Sequence, residues 1–228
     1  KDKEGGFPII HLNSDDQLLL TFDELENSIK AYSFGIQHCD AEWQPSNLTA
    51  MDYVSGYNED AILNGRPSVG TLQAYTHYES VFPNVYIKPK IAGNYLLKVY
   101  EDQNKEKLVF TKRFYVLNPV AEVVATLNPS IYDTKDPKYQ KIDVTCTTAL
   151  AIPNPQRDLK IVVFQNQRPD YYQSVSTPSF IESNKYSFKH IQTLNFLAHN
   201  EFRFVDLRSL KGGSGHINNI TSDSLKTV

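Results

Sequence analysis

Apolar and polar residues alternate with a period of two through most of this 228-residue chain, and sustained helical periodicity is scarce. That pattern commits the fold to β-strands, because successive strand side chains point to opposite faces. In the first half, strands are expected over 7–12, 17–22, 31–39, 61–64, 76–82, 93–101 and 107–117, separated by Gly, Asn, Asp and Pro clusters. This number and spacing suits an immunoglobulin-like or fibronectin-III-like β-sandwich. The last of these strands ends at Asn118-Pro119, where proline withdraws a backbone donor. A second series follows over 121–127, 140–147, 159–165, 186–190 and 201–207.

The expected fold is therefore all-β, with two such sandwich domains in tandem over 7–118 and 119–228. The linker between them is too short for free tumbling. The second domain reads as incomplete, with fewer strands than a full sandwich and a polar tail over 211–228 containing Gly212-Gly213-Ser214-Gly215. It would be completed by residues beyond the chain or by an irregular strand in the tail, and otherwise leaves an exposed edge. In Gly93-Asn94-Tyr95-Leu96-Leu97, a Tyr stands two residues before an apolar core position. This is the pattern of a tyrosine corner, with the phenol hydroxyl tied to the preceding backbone.

Composition narrows the function classes. Fourteen Tyr and twelve Phe stand against one Trp and one Met, which suits half-buried strand faces. A net charge of -3 without a basic run argues against nucleic-acid binding. No run of eighteen apolar residues offers a membrane-spanning helix. Lys1-Asp2-Lys3-Glu4-Gly5-Gly6 lacks the apolar core of a signal peptide, so a mature form with its signal removed and a cytosolic protein both remain open. Cys39 and Cys146 fall in different expected domains and read as two buried free thiols.

There is no nucleophile elbow, phosphate-binding glycine loop or His-Glu-x-x-His, and the six histidines are scattered. His38 and Cys39 are strand neighbours and point to opposite faces, so Cys39 reads as a small core residue. Asp15-Asp16 and Asp23-Glu24-Leu25-Glu26 flank one strand and read as solvated turns rather than a calcium or acid–base pair. No cofactor or metal is expected, and no enzymatic activity. The aromatic residues supply the candidate partner interface: Trp43, Tyr53, Tyr57, Tyr171 and Tyr172. Tyr171-Tyr172 are the surface candidates, since consecutive tyrosines in a loop do not both bury easily, whereas Trp43 is expected to cap the sandwich end.

Several segments occur in an order that resembles the periplasmic plug subunit of the bacterial type IX secretion system. They are His38-Cys39-Asp40-Ala41-Glu42-Trp43-Gln44-Pro45-Ser46, Asp52-Tyr53-Val54-Ser55-Gly56-Tyr57, Leu72-Gln73-Ala74-Tyr75-Thr76-His77-Tyr78 and Gly93-Asn94-Tyr95-Leu96-Leu97-Lys98-Val99-Tyr100-Glu101-Asp102. In the second half, Ile152-Pro153-Asn154-Pro155 and Val162-Val163-Phe164-Gln165-Asn166 are similar to it too. The resemblance implies a non-enzymatic periplasmic protein, associated with the outer membrane but not inserted in it, and a monomer in isolation. Its implied partner is the outer-membrane translocon barrel protein, whose periplasmic opening it seals while no substrate is in transit. The rival reading is a glycan-binding β-sandwich module of an exported protein, using aromatic platforms such as Tyr171.

Overall fold

The structure, a computed structural model, describes residues 7–26, 28–131 and 139–198. The chain divides into two compact units, Lys1–Glu122 and Val123–Val228. The first unit contains β1 (Ile9–His11), β2 (Leu18–Glu24), β3 (Tyr32–Cys39), a four-residue helix α1 (Ala50–Tyr53), β4 (Val54–Gly56), β5 (Asp60–Ile62), β6 (Asn64–Pro67), β7 (Thr76–Phe82), β8 (Ile87–Pro89), β9 (Gly93–Glu101) and β10 (Leu108–Leu117). Five strands form one sheet in the order β1-β10-β9-β3-β5, three form another in the order β2-β7-β6, and β4 pairs with β8. One apolar core includes side chains from all three sheets. The fold is an all-β sandwich, as the alternation requires.

Period two places the core. On β3, Tyr32, Phe34 and Ile36 are buried, and on β9 so are Tyr95, Leu97 and Val99. Phe114 and Val116 from β10 join them, and β7 adds Thr76, Tyr78 and Phe82 from the facing sheet. Aromatic rings dominate the packing. Phe22 stacks on Tyr78 at 5.0 Å, with Tyr32 edge-on to Tyr78 at 4.8 Å. Phe114 stacks on Tyr95 at 5.2 Å and meets Phe82 edge-on at the same distance. Each fully buried ring of this kind contributes on the order of 1.5–3 kcal/mol of transfer free energy, provided its hydroxyl is satisfied. The hydroxyls are satisfied: Tyr78 accepts the Lys30 N–H at 2.7 Å, and Tyr32 donates to Glu24 at 2.5 Å. Gly65 makes room for this packing, since a Cβ there would lie 2.8 Å from the Tyr78 ring.

The tyrosine corner is present. Tyr95 is fully buried and its hydroxyl donates to the carbonyl of Ile91 at 2.9 Å. Leu97, two residues on, is a core position. One expected strand resolves differently. The stretch 61–64 is not a single strand: β5 belongs to the five-stranded sheet and β6 to the three-stranded one, with Leu63 alone between them. The alternation there reports two strands that change sheets, which is how sandwich corners are made.

In the second unit, β11 (Ala121–Pro129), β12 (Tyr139–Thr148), the short helix α2 (Pro155–Asp158), β13 (Ile161–Phe164), β14 (Tyr172–Val175), β15 (Phe180–Glu182), β16 (Lys185–Phe188) and β17 (Asn195–Leu197) follow one another. The order β11-β12-β16-β15 makes one sheet, to which β17 adds by pairing with β12. β13 and β14 form a separate antiparallel pair. Val144, Cys146, Ile161, Tyr186, Phe188, Leu194 and Phe196 make its core. The strands β14, β15 and β17 were not expected from periodicity, and the expected strand over 201–207 and the polar tail lie outside the described residues. Cys39 and Cys146 are both free and buried.

Two predictions follow from this packing. Tyr95→Phe keeps the ring and removes the donor to Ile91, so urea denaturation is expected to show a loss of about 1–2 kcal/mol. The second concerns acid. The Tyr32 hydrogen bond, then Lys30, holds the Glu24 carboxyl below its ordinary value of 4.5. A depressed pKa stabilises the fold above the unfolded value, and that contribution fades as pH falls through the lower folded pKa. Urea midpoints of the wild type should therefore fall more steeply below pH 4.5 than those of Glu24→Gln.

Candidate partner interface

The turn after β3 is built by Asp40. Its Oδ1 accepts the backbone N–H groups of Glu42 at 3.0 Å and Gln44 at 2.8 Å. Its carbonyl accepts Asn94 Nδ2 at 2.9 Å, which fastens the turn to β9. Trp43 adopts φ +66° at the tip. Its ring then lies edge-on to Tyr115 at 5.3 Å and under the Arg113 guanidinium at 4.5 Å. This is the end-capping role expected of it, stabilised by a cation–π contact.

Tyr53 is a correction. It closes α1, whose start is capped by Asp52 Oδ2 accepting the Thr49 N–H at 2.8 Å. The helix turns the phenol inward, so that Tyr53 is only 8% exposed and packs against His38 and Tyr95. Burial pushes its pKa up. A ring so placed is a core ring and offers no partner surface.

Tyr57 is the reverse, at 68% exposed. Its ring pairs with that of Tyr86 at 6.4 Å, and its N–H donates to the Tyr86 carbonyl at 2.6 Å. Gly56, at φ +96°, permits this approach, since a Cβ would stand 2.2 Å from the same carbonyl oxygen. Asn84 holds the other side of the tip. Its Oδ1 accepts the N–H groups of Tyr86 and Ile87, and its Nδ2 reaches Asp60 Oδ2 at 2.7 Å. Val85, beside Tyr86 in the chain, is 88% exposed. The result is a rigid apolar tip of Tyr57, Val85 and Tyr86. Tyr86 and Val85 were absent from the expected set, although Pro83-Asn84 just before them signals a turn that would present them.

In the second unit, Tyr171 is half-buried, 6.2 Å from Phe196 and within 5.7 Å of the Arg168 guanidinium. Tyr172 opens β14 and is 53% exposed, its ring 5.7 Å from Phe164. One tyrosine faces in and the next faces out, as strand geometry demands.

The side chains with chemical potential are engaged elsewhere. His38 Nδ1 lies 2.9 Å from Ser46 Oγ, and its ring meets Tyr95. The Cys39 thiol lies by the Gln37 carbonyl at 3.8 Å, and burial pushes its pKa up. Asp16 accepts the His11 N–H at 2.9 Å, Asp23 pairs with His77 at 2.7 Å, and Glu24 pairs with Lys30 at 3.1 Å. Among the described residues no cluster of three or more His, Cys, Asp or Glu could hold a metal ion. Among them, too, no helix is long and apolar enough to cross a membrane.

The geometry is that of an all-β sandwich displaying ordered aromatic loops. Residues 1–118 match the family described as the type 9 secretion system plug protein first domain, and the chain belongs to that family. A crystal structure of a hypothetical protein from Parabacteroides merdae is similar to it, with 30% identity and a TM-score of 0.84 over 95% of this chain. The chain spans 55% of that protein's length in the crystal. No curated protein matches.

Thiol reagents should modify neither Cys39 nor Cys146 at an appreciable rate in the native protein, and both after unfolding. Rapid native labelling of Cys39 would contradict its burial.

Proposed function

We propose that this chain acts as a plug of the type IX secretion translocon, a periplasmic protein that binds the outer-membrane barrel and seals its inner opening. Membership of the plug family carries this reading. The sandwich supplies what such a role needs physically. A rigid domain with preformed loops loses little conformational freedom on binding, so more of the contact energy appears as affinity. Its work is steric and needs no catalytic group. Opening would require a second state of the barrel with weaker affinity for the plug.

The surface offered to the barrel is the tip of Tyr57, Val85 and Tyr86, with Tyr172 as a second anchor in the other unit. Aromatic residues on ordered backbone are the usual anchors of such interfaces. Trp43 contributes through the Asp40 turn, with only its outer edge available.

The barrel is expected to co-purify with the wild-type chain from cells expressing both. Tyr57→Ala combined with Tyr86→Ala should reduce that recovery at least about tenfold while changing stability by less than about 1 kcal/mol. Recovery unchanged by the double substitution would remove the tip from the interface. No recovery with the wild type would remove the plug reading itself. Deleting the gene should let large, normally excluded solutes cross the outer membrane.

A further inference from the structure

The outer face of β3 carries a cleft of about 160 Å³ that none of the features above uses. Its floor is the backbone of Gly35. A side chain there would place its Cβ 2.8 Å from the Asn58 carbonyl oxygen and 3.6 Å from Glu59 Cγ. The glycine therefore lets the Asn58–Glu59 segment close down beside the sheet. Lys98, directly opposite Gly35 in the β3–β9 register, lines the cleft, as do Gln37, Tyr100 and Lys105.

Three of these groups have unspent capacity. Gln37 Oε1 is buried and receives no hydrogen bond from the described residues, a costly state for an amide oxygen. The Lys98 ammonium forms no ion pair or hydrogen bond among the described residues. Glu59 gives one oxygen to Lys105 at 3.1 Å and the other only a long contact with Ser33 Oγ at 3.4 Å. Tyr100 supplies an apolar wall. The volume is far above the roughly 10–15 Å³ that one water needs and below the roughly 300 Å³ of a drug-sized pocket.

We propose that this cleft binds a single saccharide ring, with acidic sugars preferred. A hydroxyl both donates and accepts, so one kind of group meets the carboxylate of Glu59 and the ammonium of Lys98, and it meets the Gln37 amide once that side chain turns its shielded oxygen into the cleft. The C–H face of a pyranose packs on an aromatic ring, as the Tyr100 wall allows. Two lysines against one glutamate favour a carboxylate substituent on the sugar. An apolar ligand would strand the polar groups without partners. A dianion such as phosphate would carry more charge than the single net positive charge of Lys98, Lys105 and Glu59 can neutralise. The site belongs to the first unit alone and includes neither Tyr171 nor Tyr172, and it does not depend on the plug reading.

The test is titration of the isotopically labelled chain with glucuronic acid, glucose and acetate, followed by NMR. Glucuronic acid should give saturable shifts at the amides of Gly35, Gln37 and Lys98 with a Kd of about 1 mM. Glucose should bind several-fold more weakly at the same amides, and acetate should not displace the sugar. Gln37→Leu and Lys98→Met should each weaken binding by about fivefold or more, with unchanged circular dichroism. The proposal is overturned if neither sugar gives a saturable response. It is equally overturned if acetate competes as well as glucuronic acid, or if both cleft variants bind as the wild type does.

Discussion

Tyr95 is fully buried in the middle of the larger sheet, its ring stacked on Phe114 and its hydroxyl bonded to the carbonyl of Ile91. That single side chain joins the core to the turn that precedes β9. The turn ends at Gly93, whose φ of +151° and missing side chain leave space for His38, since a Cβ would lie 2.4 Å from Nε2. His38 then meets Tyr95 edge-on and approaches Ser46, which fixes where the chain returns after the Asp40 turn. Trp43 and Tyr53 take their positions from the same arrangement. Core packing, turn conformation and the display of the loops are thus one connected problem, solved around a phenol whose only polar atom has a partner.

Much of this was legible in the sequence. β7 and β9 run over 76–82 and 93–101, the limits that alternation gives, because each is seven or more residues long and half-buried. β4, β8, β15 and β17 have three residues each, too few for a period to register. The split at Leu63 was invisible for another reason: alternation records which face a residue takes and says nothing of which sheet it joins. Tyr53 was misplaced because a loop-like stretch of polar residues hides a single helical turn aimed at the core. Val85 and Tyr86 were left out of the candidate interface because their fixed placement depends on Asn84 reaching Asp60, twenty-four residues away.

The functional reading draws on two unequal sources. Family membership carries the proposed role, and the structure shows which exposed side chains are held on ordered loops. The proposed plugging role asks for no reacting group, so the surface that serves it would be defined by shape and firmness instead of by pKa. The tip formed by Tyr57, Val85 and Tyr86 has both, since Gly56 and Asn84 hold its backbone from either side. The Gly35 cleft is different in kind, being concave and lined by both charged and apolar side chains. A protein that blocks a pore and also holds a sugar would combine a convex protein contact with a separate small-molecule pocket on one scaffold.

Leu63 stands alone between β5 and β6, and its neighbours on either side belong to opposite layers of the first unit. A one-residue bridge has almost no slack. The two layers therefore cannot shear past each other without breaking ladder hydrogen bonds on one side or the other. Under a sideways load, such as a folded protein pressing on one face, this unit would move as a block and not flatten. Stiffness of that sort comes from the path of the chain, and a longer connection at the same corner would forfeit it.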